Sequence, residues 1–461
     1  MHARHVILSF AVYIATATSM LGQTHPAITS WIINTTGITG RHYLANNPTP
    51  IVDTAKANVQ LVQYSGTYSY IRCSGIPSYV IGPYRDGNPS IAVNRNYLFK
   101  IPLKPAVQTG AKTAVGLGHI AVLINGVPVY NYADARSYNN QNVWHQNAIV
   151  FERAGFDCAV GHPAPIQMGP PGQGGGGAQG QYHHHQNPTA FNIAKVKMSD
   201  VCDMYLADGL YIPDSTKHGP LIGFSFDGFP IYGAYGWATG TTNVARMRPS
   251  YRLRNITERT TLANGTVLAA AQHGPSLTQQ ALGSYAEDFE YVAGSGDLDE
   301  HNGRFCITPE YPEGTYAYFA TIDADGVSTY PYVIGPTYYG VVATENFPTR
   351  GPGAGSTGVT IQESVTSYVP ATHVDDVVST VNAVVYPNPA HDILVVQVAT
   401  PYHQSIHVEL VDMAGRVLRE TRINQGSTMC FIDMQTVYAG AYMVRIQHEN
   451  NSQSIPVVVG E

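Results

Sequence analysis

A chain of 461 residues is too long for one ordinary hydrophobic core, so at least two domains are expected. A formal charge of −7 without long basic runs excludes the electrostatic footprint of a nucleic-acid binder. Only 12% of residues are charged, while 31 Tyr, 45 Gly and 30 Pro point away from helical bundles and toward turn-rich, mainly β structure.

In chain order, residues 1–22 read as a secretory signal peptide. "MHARHVILSFAVYIATATSMLGQ" has a short basic end with Arg4, an apolar run from Val6 to about Met20, and small residues after it. That run falls short of the ~20 residues a bilayer span needs, and no later segment reaches the length, so no transmembrane segment is expected after signal cleavage. Residues 24–345 form a large β-rich domain of hairpins and long loops, dense in Tyr, Gly and Asn-Gly or Asp-Gly dipeptides. "HIAVLINGVPVYNY" (119–132) and "LIGFSFDGFPIYGAY" (221–235) each read as strand, two-residue turn and returning strand. They hint at internal repetition, as do "SYVIGPY" (78–84) and "PYVIGPTYY" (331–339). That echo favours residues 24–115 completing the main sheet. "YRLRNITERTTLANGTVL" (251–268) reads as a further hairpin turning at Asn264-Gly265, and "DADG" (323–326) as a simple turn. The best helical pattern is "SLTQQALGSYAEDF", interrupted by Gly283. Residues 346–379, with the Gly/Pro-rich "TRGPGAGSTG", read as a linker, and 380–461 as a small domain of short strands.

Chemistry concentrates in "GQYHHHQNP" (180–188). If this stretch is extended, His183 and His185 share one face and Tyr182 and His184 the other. Two imidazoles on one face of a strand suit a transition metal, copper first and zinc second, with further ligands from elsewhere. His162, His218 and His301 with Asp299 are the expected contributors; His145, Asp297 and Glu300 stand in similar loop contexts. The alternative is that these histidines only satisfy turn carbonyls. The glycine run at 172–180 lacks the Lys-Ser/Thr of a phosphate loop and reads as a flexible insertion. "DLDEHNG" (297–303) opens like a calcium loop but has His301 at its fifth position and its glycine one place late. There is no G-x-S-x-G and no H-E-x-x-H, so no reaction can be read and catalytic residues stay unassigned. A non-catalytic binding module for carbohydrate or another polymer, built on Tyr130, Trp144, Tyr232 and Trp237, is a second reading. A structural surface protein without metal is a third.

Of the five cysteines (73, 158, 202, 306 and 430), Cys158 with Cys202 is the preferred disulfide because both flank the histidine stretch. All five as small buried apolar groups is the alternative.

The order of "INGVPVYNY", "SYNNQNVWHQNA", "FDCAVGHPAP", "GQYHHHQNP", "HGPLIGFSFDGFPIYGAYG", "AEDFEYVAGSGDLDEHNGRFCITPEYPEGTYAYF" and "YPYVIGPTYYG" resembles the secreted bacterial YHYH family over 115–340. Tyr182, His183 and His185 match its name-giving motif, while His184 stands where a second Tyr is usual. The resemblance implies a place outside the cell and no particular reaction. It gathers His162, His183, His185, His218 and the Asp297–His301 loop into the family's own motifs. Further on, "VVYPNPAHDILVVQV", "VELVDMAGRVLRE" and "VYAGAYMVRI" resemble the C-terminal sorting domain of type IX secretion. This implies an immunoglobulin-like β-sandwich, the type IX secretion machinery as partner, and a secreted or cell-surface location.

Overall fold

The computed structural model describes residues 25–47, 49–84, 91–164, 180–188, 213–241, 243–347, 357–370, 383–398, 402, 404–412, 415–448 and 451–460. The chain divides between residues 370 and 371 into two compact units, both mainly β. The signal peptide, the glycine run up to Gln179 and Cys202 lie outside the described residues, so the Cys158–Cys202 pairing does too.

In the larger unit, β1 (Val59–Tyr64), β2 (Tyr68–Cys73) and β3 (Tyr97–Pro102) make an antiparallel meander. Eight further strands form the central sheet: β4 (His119–Leu123), β5 (Pro128–Tyr130), β6 (Gly161–Pro163), β7 (Tyr182–His184), β8 (Leu221–Ser225), β9 (Pro230–Tyr232), β10 (Gly303–Thr308) and β11 (Tyr311–Phe319). Their order is β6-β7-β5-β4-β8-β9-β11-β10, with β7/β5 and β9/β11 parallel and the rest antiparallel.

Side-chain alternation explains why these strands read as continuous apolar runs. Val122, Phe224, Tyr232, Ala317 and Phe319 point into a core shared with Val62, Ile71, Phe99 and Ile101. The residues between them, Ala121, Leu123, Ile222, Ile231, Tyr316 and Tyr318, point into a second core with Tyr332, Ile334 and Tyr338. A sheet covered on both faces needs apolar residues at every position. Each fully buried aliphatic or aromatic side chain contributes about 1.5–3 kcal/mol of transfer free energy.

Several expectations are corrected. Residues 24–115 do not complete the central sheet: β1–β3 form their own sheet and pack on one of its faces, because the apolar side of the meander matches the side of the central sheet it covers. The "INGVP" and "FDGFP" turns are three-residue loops, not two-residue ones. Leu123 N–H donates to Val127 O (2.9 Å) and Gly126 N–H to Leu123 O (2.8 Å), and Gly126 takes φ 80° at the bulge; Ser225–Phe229 repeats the pattern around Gly228. These two similar hairpins lie side by side through β4 and β8. In 251–268 the turn at Gly265 forms, but Tyr251–Leu253 pairs with Phe289–Tyr291 instead of folding back locally. The "SLTQQALGSYAEDF" segment is not an α-helix. Gly283 takes φ 98°, and the carbonyls of Gln280 and Ala281 accept from the Arg259 guanidinium, leaving only a 3-10 turn at Ala286–Asp288. Residues 357–370 of the expected linker are fastened to the meander. There β12 (Thr366–Ser367) pairs with β1, and Glu363 accepts from the Tyr70 hydroxyl (2.5 Å).

The smaller unit has strands β13 (Ala383–Tyr386), β14 (Ile393–Val398), β15 (Ile406–Asp412), β16 (Val417–Ile423), β17 (Met429–Asp433), β18 (Gly440–His448) and β19 (Asn451–Val459). Two antiparallel sheets, β13-β14-β17 and β16-β15-β18-β19, enclose Leu394, Val396, Val408, Leu410, Ile432, Val444 and Ile446. Seven strands in sheets of three and four make an immunoglobulin-like sandwich. Among the described residues no helix is long and apolar enough to cross a membrane.

Candidate metal centre

The site is built on two short strands. β6 and β7 pair antiparallel with Gly161 opposite His184, His162 opposite His183 and Pro163 opposite Tyr182. Glycine at 161 is a packing requirement, since a Cβ there would run into the Tyr182 hydroxyl and the His184 ring. The turn entering β6 is organised by buried Asp157, whose carboxylate accepts from the amides of Ala159 (2.9 Å), Gly161 (3.1 Å) and Gly82 (2.8 Å). These bonds hold Val160 at φ 56°, a left-handed conformation costly for a β-branched residue.

As period-2 alternation requires, β7 sends its side chains to two environments. On the reverse face the Tyr182 hydroxyl donates to Asp157 (2.9 Å). His184 takes a hydrogen bond on Nε2 from the Tyr79 hydroxyl (2.6 Å) while its Nδ1 donates to Val160 O (3.2 Å). Burial pushes the His184 imidazole down to about 3 and the Asp157 carboxyl up to about 7. The reverse face is therefore a hydrogen-bonded lock, with a neutral His184, that sets the strand's register.

On the front face His183 and His185 meet His162 and a fourth residue, Glu152. Their four ligand atoms lie within 4.8 Å of one another. His185 Nε2 is the hub, 3.1 Å from His183 Nε2, 3.5 Å from His162 Nε2 and 3.0 Å from Glu152 Oε2; Glu152 Oε2 is also 3.2 Å from His162 Nε2. His183 Nδ1 donates to Gln181 O (2.7 Å) and His185 Nδ1 to Asn131 O (2.5 Å). In a neutral ring this leaves Nε2 as a bare lone pair. Burial, then the neighbouring His162 and His185, drive the His183 imidazole well below its ordinary range, so it is neutral. Burial works to raise the Glu152 carboxyl, but His185 and His162 outweigh it and hold it well below the usual carboxylate range. Its Oε2 is enclosed and makes no hydrogen bond of proper angle. Three ring nitrogens and a carboxylate oxygen thus converge on one point, within reach of a single ion.

Glu152 caps a short helix, Ala148–Phe151, through its N–H to Ala148 O (2.8 Å). The helix start is fixed by Asn147, whose side chain accepts from Ile149 N (3.1 Å) and donates to the Tyr332 hydroxyl (2.7 Å). Aromatic rings close the histidine side of the site. Tyr130 stacks on His183 at 3.8 Å between ring centres and donates its hydroxyl to Gln181 Oε1, and Phe156 meets His162 edge-on at 4.8 Å.

The other expected contributors lie elsewhere. His218 packs between Tyr232 and Trp237, with Nδ1 donating to Gly219 O (2.7 Å). His301 bonds through Nδ1 to Thr337 (2.9 Å), and Asp299 accepts from the Tyr316 hydroxyl (2.8 Å) and the amides of His301 and Gly303. Asp297 is engaged by Arg248 (2.9 Å), so the carboxylates of the calcium-like loop serve protein donors. His145 pairs with Glu287 (2.6 Å). Tyr130, Trp144 and Tyr232 are buried, Trp144 and Tyr232 within apolar clusters and Tyr130 against His183, and form no exposed aromatic platform. Cys73, Cys306 and Cys430 are buried free thiols. Glu152 was not legible in the sequence: it falls between "SYNNQNVWHQNA" and "FDCAVGHPAP", in neither.

Comparison with known families matches "YHYH protein" to residues 98–331, more than half of the chain, with the β6/β7 pair and the histidine cluster inside the match. The chain belongs to the YHYH family. Behind the YHYH region, residues 384–460 match a secretion system C-terminal sorting domain, the type handled by the type IX machinery. The protein is accordingly exported to the extracellular space or the cell surface. Comparison with curated protein sequences returned no match. Among solved structures, a DUF3244 family protein with an immunoglobulin-like β-sandwich fold from Bacteroides vulgatus is similar at 20% identity. The match covers 17% of this chain and 84% of that chain, with a TM-score of 0.15.

Proposed function

We propose that this exported YHYH protein binds one divalent transition-metal ion through His162, His183, His185 and Glu152. The observation that carries the reading is the spacing of the donors. A tetrahedral ion with bonds of about 2.05 Å has ligand atoms about 3.3 Å apart, and four of the donor pairs stand at 3.0, 3.1, 3.2 and 3.5 Å. Hydrogen bonds from the far nitrogens of His183 and His185 to backbone carbonyls support it, since metal-ligating imidazoles are oriented in this way. Three imidazoles and a carboxylate suit copper or zinc.

The test is elemental analysis of the secreted chain, purified without a histidine tag, beside a His183→Ala/His185→Ala double variant. About one equivalent of copper or zinc in the wild type and none in the variant is the expected result. No metal in either protein after reconstitution would reject the reading and leave the histidines as packing and turn residues.

A further inference from the structure

The four donors are not equivalent in access or in restraint. The side chains of His162 and His185 are 6% and 4% exposed and His183 is 3% exposed, whereas the Glu152 side chain is 29% exposed. Tyr130 and Phe156 cover the rings, and Glu152 is the one donor residue of the four whose side chain is partly exposed, although its Oε2 faces inward. Restraint differs in the same direction. His162 and His183 are set by strand pairing, and His183 and His185 by hydrogen bonds to carbonyls. Glu152 stands at the end of a four-residue helix, where the chain passes into a 3-10 turn (Arg153–Gly155), and its Oε2 meets only the ring nitrogens of His185 (3.0 Å) and His162 (3.2 Å) among the described residues.

We infer that Glu152 is the exchangeable member of the set, and that its position is where a small ligand bearing one oxygen or nitrogen donor reaches the ion. The inference rests on the metal reading above. Closed structural metal sites keep four fixed protein donors, whereas sites that act on ligands keep three and leave one position open. Here three neutral imidazoles retain the ion when the carboxylate swings aside by rotation about its own side-chain bonds. Withdrawing its negative charge also raises the pull of the ion on an incoming donor.

The experiment loads the full secreted chain with Cu(II) and titrates it with azide and, separately, with imidazole. Electron paramagnetic resonance and visible absorption are followed for wild type, Glu152→Gln and Glu152→Ala, and metal content and thermal unfolding are measured in parallel. Expected are one copper in all three proteins, an azide-to-copper band in the wild type, and roughly tenfold tighter azide binding in Glu152→Ala, the scale on which loss of a group supporting a metal site shows. Two results would overturn the inference: a folded Glu152→Gln that loses copper as completely as the His183/His185 variant, or wild-type spectra unmoved by both probes. Absence of copper from the wild type would instead overturn the metal reading, and this inference with it.

Discussion

His162 and His183 are cross-strand partners: 21 positions apart in the chain, they are directly opposed in the β6/β7 register, with ring centres 4.6 Å apart. Strand pairing thus adds an imidazole that neighbouring sequence could not supply. His185, one residue beyond β7, closes the group from the same face.

The register makes a quantitative expectation. His162→Ala should weaken copper or zinc binding by at least about tenfold while His218→Ala leaves it unchanged, although both histidines sit beside Gly or Pro in the sequence. Competition against a chromophoric chelator checks this. Equal effects of the two variants would contradict the proposed donor set.

Arg259 and Asp288 form a fully buried, two-point ion pair, with Nε to Oδ1 at 2.7 Å and Nη2 to Oδ2 at 2.8 Å. The guanidinium also donates to the carbonyls of Pro275, Gln280 and Ala281, and Asp288 accepts from the amides of Gly283 and Tyr285. Asp288→Asn leaves a buried charge without its partner, so urea unfolding should show a loss of about 3–5 kcal/mol. A loss under about 1 kcal/mol would mean that the pair is not desolvated.

Acid should destabilise the metal-free protein through His119. Burial pushes its imidazole down to about 4, against a hydrogen bond to Asn346 O (2.5 Å) that favours the charged form. The unfolded value is about 6.5, so the unfolded chain binds the extra proton first. The contribution is present in full above about pH 6.5 and is lost as pH falls toward 4, on the order of 3 kcal/mol. His184, pushed down to about 3, adds a slope of the same sign. In chelator, His119→Phe should therefore flatten, without abolishing, the loss of stability between pH 6.5 and 4. An unchanged slope would show that His119 does not titrate in this way.

Short-range pattern made part of this molecule readable. Alternation over Tyr182–His185 separates the His183/His185 pair from a reverse-face pair without reference to the rest of the chain, and the structure has this separation. Asn-Gly and Asp-Gly marked the turns, although the loops proved one residue longer, because the glycine serves at the bulge. The tail's alternation likewise foreshadowed a two-sheet sandwich. The apparent helix at 276–289 failed for a long-range reason: its carbonyls are taken by Arg259, which the local period does not register.

By itself, then, the sequence determined the β class and the shared face of His183 and His185, since these depend on periodicities of a few residues, while the sorting tail was legible through its family motifs. Tertiary structure alone decided that His162 and Glu152 join that pair while His218, His301 and Asp299 serve other partners. Strand register and the placement of a short helix bring together residues far apart in the chain, and local sequence carries no record of which distant atoms will occupy the same few ångströms.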